Sequence, residues 1–311
     1  MAKILFVADI HIKLGQKNVP VQWQKNRTMQ LAKEINKIPH DVVILGGDIL
    51  DVAKPTVPEV GLMYDFLFAL KQCGIIIPGN HEMVSKKVDC FDPIDNMISH
   101  LGYQIIREFK TIHGIDFIPY NILHNKTWPS PCSKFAITHV RGEIPPHVLP
   151  EVSLDKFAPY DKVFAGDLHC TSCSQLNILY PGSPFTTSFH RNEAKGSNGV
   201  FIIDSETGEH EWIELFLPQL IKKTVSSELD MIPTDYHHTI YELEGTLEEL
   251  AGVKDSSLLS KKVTKNISAP STLNLQGSRE DELAEYLTNI KDIKDTAPYI
   301  SLYKGIVNDS D

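Results

Sequence analysis

The chain has 311 residues, 42% hydrophobic and 23% charged. These values lie near globular averages and exclude wholesale disorder. Thirty lysines and arginines against 40 acids give a net charge of −10, a poor composition for broad, non-specific nucleic-acid binding. No apolar run approaches the ~18 residues of a membrane span. The N-terminal stretch also reaches Asp9 too soon to form the apolar region of a secretory signal. A cytoplasmic protein without membrane association is expected. The five cysteines, an odd number, read as free thiols in a reducing compartment.

Taken in chain order, Ile4–Ala8 reads as a buried strand, Met29–Ile38 as an amphipathic helix and Val42–Leu45 as a second strand. Val60–Leu70 reads as a packed helix and Ile75–Ile77 as a third strand. This rhythm argues for α/β layering. Short β-type runs follow at Gln104–Ile106, Phe117–Ile118, Phe135–Thr138, Lys162–Ala165, Ile178–Tyr180 and Val200–Ile203. Asp204–Gly208 reads as a hairpin turn returning through Trp212–Phe216. A second unit is expected from Pro218: a strand at Thr239–Leu243, a short helix at Leu247–Ala251 and a strand at Lys261–Ile267. An acidic helix at Glu280–Ile290 and a final strand at Tyr299–Val307 complete it. Glu280–Asp311 carries eight acids against three lysines, which phosphate backbones would repel.

Five of the apolar runs end in residues able to bind a metal. They lead into Asp9-Ile-His11, Gly46-Gly47-Asp48, Pro78-Gly79-Asn80-His81-Glu82, His139 and Gly166-Asp167-Leu168-His169. In open α/β sheets, ligands bind beyond the carboxyl ends of the strands, so these five tips are expected to converge. Carboxylates, an Asn carbonyl and imidazoles without a thiolate core suit hard or borderline divalent cations. In Asp9-x-His11 and Asp167-x-His169, period-2 spacing would put both side chains on one side of an extended backbone. The glycines before Asp48, Asn80 and Asp167 would let the chain turn sharply near an ion. Asp9, His11, Asp48, Asn80, His139, Asp167 and His169 are more groups than one open catalytic metal needs. Two ions sharing a carboxylate use them all, and such a pair is the usual device for activating water against a phosphoryl centre.

Each element alone has a plain reading. An isolated Asp-x-His is more often a surface pair or cap, Gly-Asp is often a turn, and a lone histidine is usually structural. The ordered set carries the argument. Cys170-Thr-Ser-Cys173 invites a zinc reading, but a structural zinc site wants four ligands and no second pair is present. Asp51 reads as a supporting residue or helix cap rather than a ligand.

In this order, Asp-x-His, Gly-Asp, Gly-Asn-His-Glu, the lone His and Gly-x-x-His resemble the calcineurin-like metallophosphoesterase superfamily. Gly47-Asp48-Ile-Leu-Asp51, followed by Pro55 and a helix, is similar to its SbcD-type nuclease subunits. So is Tyr180-Pro-Gly-Ser-Pro-Phe-Thr-Thr-Ser-Phe189, followed by Lys195–Val200. The short chain looks most like the tailed-phage recombination endonuclease version. The motifs span residues 3–204, and Tyr241–Glu249 loosely resembles the family's small capping domain.

The resemblance implies an α/β fold with two mixed β-sheets sandwiched between helix layers. Residues 1–217 would be the catalytic domain, and 218–311 a small α+β capping domain that binds DNA or a partner. It implies two divalent ions, Mn²⁺ first and Mg²⁺ as the alternative. One would be held by Asp9, His11, Asp48 and His169, the other by Asp48, Asn80, His139 and Asp167, with Asp48 bridging. His81 would be catalytic, donating a proton to the leaving oxygen or orienting the phosphate. The family normally has His where this chain has Asp167; the added negative charge should favour Mn²⁺ or Mg²⁺ over softer ions.

The implied activity is 3′–5′ exonuclease and single-strand or hairpin endonuclease action in DNA recombination, repair or replication. The implied partners are DNA, an SbcC-type ATPase subunit and a second copy of the chain. Lys13, Lys17 and Arg191 are the candidate phosphate contacts, with Lys25 and Arg27 beside the first motif. Two other readings use the same residues: a phosphatase or phosphodiesterase of small molecules or phosphoproteins, which the acidic charge favours, and a scaffold without catalysis, which only Asp167 supports.

Overall fold

β1 (Lys3–Val7) is apolar at nearly every position because it is buried on both faces, as expected of a strand inside a parallel sheet. It lies at the centre of a six-stranded mixed sheet in the computed structural model, which describes residues 2–146, 148–189, 198–232, 234, 236–245, 250–251, 253, 259–263, 278–289, 291 and 293–308. β2 (Val42–Leu45), β3 (Gly74–Ile76) and β4 (Tyr103–Ile105) continue parallel from β1, while β10 (Gly199–Asp204) and β11 (His210–Glu214) extend its other side antiparallel. The Asp204–Gly208 turn joins β10 to β11 as the sequence implies.

A second sheet has five strands in chain order. β5 (Lys110–Ile112) pairs antiparallel with β6 (Ile115–Ile118); β7 (Phe135–His139), β8 (Lys162–Gly166) and β9 (Ile178–Leu179) then run parallel to β6. The two sheets pack face to face. Phe6, Ile44 and Ile77 of the first meet Phe117, Ile137 and Phe164 of the second. On the outer face of the first sheet, Leu5, Val7 and Leu45 pack against α1 (Val21–Ile35) and α2 (Val57–Ala69) through Leu31, Ile35, Leu62 and Phe66. The short α3 (Asp95–His100) adds Ile98. Three-ten turns and loops, with Phe157, Tyr160 and Tyr180, cover the outer face of the second sheet.

α1 begins eight residues before the helix read from sequence. Its first turns bury Gln24, Arg27 and Thr28, which interrupt the apolar periodicity. Arg27 donates to Thr186 O at 2.7 Å and lies over the Phe185 ring. It is a buried structural residue, not part of a phosphate-contacting edge.

β12 (Leu220–Val225), β13 (His238–Gly245) and β14 (Leu259–Val263) form a three-stranded sheet, followed by α4 (Arg279–Asn289) and α5 (Ala297–Asn308). α5 corrects the final strand expected at Tyr299–Val307. Ile300 and Tyr303 are half-buried while Tyr299 and Leu302 are exposed, a spacing of three and not two. Most of the expected helix at 247–251 and the end of the expected strand at 261–267 lie outside the described residues. The chain forms two compact units, Met1–Glu242 with Asp255–Ser260, and Leu243–Lys254 with Lys261–Asp311. Among the described residues no helix is long and apolar enough to cross a membrane.

Glu59 ties the start of α2 to the loop after β1. Its carboxylate accepts from Leu14 N, Thr56 N and Thr56 Oγ1, each at 2.8 Å. Burial opposes the charge, but these bonds hold the carboxyl below its ordinary 4.5. Replacing Glu59 by Ala strands buried donors and is expected to cost about 1–3 kcal/mol in urea unfolding. A depressed carboxylate stabilises fully above its ordinary pKa and loses that effect as pH falls through its folded value. The gap between wild type and Glu59→Ala should therefore be widest near neutral pH and narrow below 4.5.

Candidate metal centre

The parallel registers set Val7 opposite Leu45 and His139 opposite Gly166, so the strand ends lie level. Asp9, Asp48 and Asn80 follow β1, β2 and β3; His139 ends β7, and Asp167 and His169 follow β8. Two bonds stitch the sheets together here. Asp167 N donates to Asp9 Oδ1 at 3.0 Å, and His139 Nδ1 donates to Gly46 O at 2.8 Å.

Asp9, His11, Asp48 and Asp167 have φ of 58°, 50°, 53° and 99°. They occupy the left-handed region, where Asp and His are enriched yet still cost roughly 1–3 kcal/mol each. The extended Asp-x-His backbone expected from period-2 spacing is therefore corrected: the chain curls at each tip instead. Gly79 allows the closest approach, since a Cβ there would lie 2.2 Å from Asp48 Oδ1.

The seven expected donors lie around Asp48 in two overlapping groups, with His81 also facing His11 and Asp48, and Asp9 also facing His139. In the first, His11 Nε2 lies 3.1 Å from His169 Nε2, 3.5 Å from Asp48 Oδ2 and 4.0 Å from Asp9 Oδ1. His169 Nε2 is 3.7 Å from Asp9 Oδ1. In the second, His139 Nε2 lies 2.9 Å from Asn80 Oδ1, 3.4 Å from Asp48 Oδ1 and 3.8 Å from Asp167 Oδ1. The Asn80 amide atom turned inward is also 3.1 and 3.2 Å from the Asp48 oxygens and 3.3 Å from Asp167 Oδ1. With Oδ1 inward it is an acceptor among acceptors, which a cation between them stabilises. With the amide turned over, its N–H groups donate to the same oxygens.

These separations fit cations. Donors about 2.1 Å from one ion lie about 3.0 Å apart at right angles and about 4.2 Å apart across it. Asp9 is fully buried and Asp48 nearly so. Burial, with Asp48 and Asp167 nearby, holds Asp9 well above its ordinary pKa. Burial also opposes ionisation of Asp48, but His139, His11 and His81 around it keep it below the usual carboxylate range. His139 is the converse: burial disfavours its charge, and Asp48, Asp9 and Asp167 raise its pKa well above the ordinary value.

Three of the four imidazoles are held from outside at Nδ1. His139 rests on Gly46 O at 2.8 Å, His81 on Asp51 O at 2.5 Å, and His169 on Thr187 Oγ1 at 3.2 Å. His11 Nδ1 lies 3.3 Å from Asp51 Oδ1. An Nδ1–H committed to a carbonyl or carboxylate leaves the Nε2 lone pair for a cation. His81 Nε2 is 3.9 Å from Asp48 Oδ2, and its ring edge meets His11.

The centre opens on a cleft of about 600 Å³ lined by His11, Lys13, Asp51, His81, Arg141 and the Ser183–Ser188 segment. Lys13 reaches it, paired to Asp51 Oδ2 at 2.6 Å. Lys17 is exposed and does not line it. Arg191 lies outside the described residues.

A family model described as calcineurin-like phosphoesterase matches residues 2–170. The chain belongs to the calcineurin-like phosphoesterase family. It is a metallophosphoesterase, and divalent metal ions are the cofactors of that chemistry. It is 46% identical over 285 residues to the probable exonuclease subunit 1 of Escherichia phage T5, covering 88% of each chain. It is also 25% identical over 261 residues to the DNA double-strand break repair protein Mre11 of Methanopyrus kandleri, covering 68% of this chain but 57% of that one.

Two residues of this metallophosphoesterase escaped the sequence reading. Arg141 donates from Nε to Asp167 Oδ2 at 3.2 Å and from Nη2 to Oδ1 at 3.4 Å. Glu82, fully buried, accepts from the backbone N–H groups of Asp48, Leu50 and Gly79 at 2.9, 2.8 and 2.7 Å. Burial, with Asp48 nearby, pushes Glu82 up to about 7 despite those bonds. The position of Glu82 in Gly-Asn-His-Glu was its one signal.

Gly79→Ala would place a methyl group 2.6 Å from Asp48 N as well as against its carboxylate. It should keep the circular-dichroism spectrum and lose Mn²⁺ affinity at least tenfold by calorimetry, as for other disturbed supports of metal ligands. Unchanged affinity would show that this close approach is dispensable.

Proposed function

We propose that the chain is the nuclease subunit of a DNA-processing complex, hydrolysing phosphodiesters with two divalent cations, Mn²⁺ before Mg²⁺. Asp9, His11, Asp48 and His169 would hold one cation; Asp48, Asn80, His139 and Asp167 would hold the other. The observation that carries this reading is the pair of donor groups facing opposite oxygens of one carboxylate, Asp48. Its place in a chain closely related to a phage exonuclease subunit supports DNA as the substrate. Bound cations would neutralise the phosphate and acidify the attacking water.

The chain's own side chains supply the rest. His81 donates Nδ1–H to Asp51 O, so its half-exposed Nε2 faces the cleft. In the imidazolium form, Nε2–H protonates the leaving oxygen. Asp51 positions His11, Lys13 and, through its carbonyl, His81. The Pro181–Phe189 segment braces the site, with Thr187 on His169 and Ser183 Oγ donating to Asp9 O at 2.7 Å. An SbcC-type ATPase is the expected partner, in keeping with the relative's description as a subunit. We assign 3′–5′ exonuclease and single-strand or hairpin endonuclease action to the complex, residues 218–311 to capping and partner binding, and a homodimer as its form.

The test is cleavage of single- and double-stranded DNA with Mn²⁺ or Mg²⁺, with and without the ATPase, beside a phosphomonoester control. DNA cleavage with Mn²⁺ is expected. Hydrolysis of the monoester alone, even with the ATPase present, would replace this reading by a phosphatase. His81→Ala should retain both cations by calorimetry and lose turnover roughly 10²–10⁴-fold. Loss of the cations with the imidazole would mean His81 is a ligand.

A further inference from the structure

Asp167 adds a third carboxylate to the cluster of Asp9 and Asp48, and the chain answers it with a cation. Arg141 approaches Asp167 side-on through Nε and Nη2, at 3.2 and 3.4 Å. These are longer than the ~2.7–2.9 Å of closed charge-assisted bonds. Asp167 takes two of the five guanidinium donors. Among the described residues no acceptor engages Nη1, and the side chain, 41% exposed, lines the cleft. The other cation there, Lys13, is committed to Asp51 at 2.6 Å. The start of the arm is fixed as well, since Arg141 N donates to Glu151 Oε1 at 2.8 Å. A guanidinium edge with free N–H groups beside a metal centre matches the paired non-bridging oxygens of a phosphodiester monoanion.

We infer that Arg141 binds the phosphate being cleaved, with its Nη1 edge on a non-bridging oxygen while Nε and Nη2 stay on Asp167. One side chain thus serves two anions. It compensates Asp167 within the carboxylate cluster, and it gives an acidic chain a cationic contact to the substrate in this cleft. The inference deepens the phosphodiesterase reading and rests on it.

The experiment compares wild type, Arg141→Met and Arg141→Lys. With Mn²⁺ and bis(p-nitrophenyl) phosphate, a substrate with one phosphate and no base, Arg141→Met should raise KM roughly tenfold or more, the worth of a charged hydrogen bond. Arg141→Lys, a point charge without the fork, should fall between. In EDTA, anisotropy of a labelled single-stranded oligonucleotide should show weaker binding by Arg141→Met. The slope of log affinity against log salt should be shallower by about 0.7, one phosphate contact on a single strand. Mn²⁺ calorimetry separates the alternative: altered cation affinity with KM and salt slope unchanged would reduce Arg141 to a counter-charge and overturn the inference. Turnover of the small diester by a wild type that neither binds nor cuts DNA would defeat the nuclease reading alone. The KM comparison would still decide the role of Arg141.

Discussion

Three carboxylates, Asp9, Asp48 and Asp167, are gathered in one cluster at the base of the cleft, and the rest of the architecture answers their repulsion. Taking an anion out of water costs several kcal/mol unless it is compensated. Part of the compensation is backbone: Asp167 N serves Asp9, and His81 N donates to Asp48 Oδ1 at 3.0 Å. Part is imidazole, through His139 and His11. The remainder is a gathering of oxygen and nitrogen donors close enough to share a cation. Strand register serves this purpose. Five parallel strands from two sheets end level, so groups separated by more than a hundred residues share one cluster.

A second layer makes that cluster specific. The carbonyls of Gly46 and Asp51, the Asp51 carboxylate and the Thr187 hydroxyl each sit at a histidine Nδ1. All the rings consequently present the same nitrogen inward. Glu82 works from beneath: three N–H groups from the β2 and β3 loops point at one carboxylate. That convergence pulls the Asp48 and Asn80 loops together, and Gly79 lets them touch. Strain at four left-handed residues persists because these bonds over-determine the tips.

How much of this could be read in advance follows from the physics of each signal. β1, β2, β7 and β8 are buried on both faces, so they announce themselves as apolar runs, and the chemistry sits directly after them. The seven proposed donors stood out in the sequence for that reason. Backbone partners are not, because every residue carries the same carbonyl. The Arg141–Asp167 pair spans 26 positions with no periodicity to mark it. Helical signals failed where burial was polar, as at Gln24, Arg27 and Thr28, or where aromatic and β-branched residues imitated a strand, as at Tyr299–Val307. Spacing alone also misplaced Asp9-x-His11, since two residues apart implies one face only if the backbone is extended.

The net charge of −10 now has a physical place. At physiological ionic strength charges farther than about 8 Å are largely screened, so remote acids weaken long-range steering of a polyanion without setting the potential inside the cleft. There the balance is local. Cations held by Asp9, Asp48 and Asp167 would lie nearest the phosphate, with Arg141 and Lys13 on the walls. An acidic chain with such a cleft would encounter DNA slowly and hold it briefly by itself, while hydrolysing a phosphodiester once it is delivered. Delivery is a task for a basic surface, and in a multi-subunit assembly that surface need not belong to the subunit that cuts.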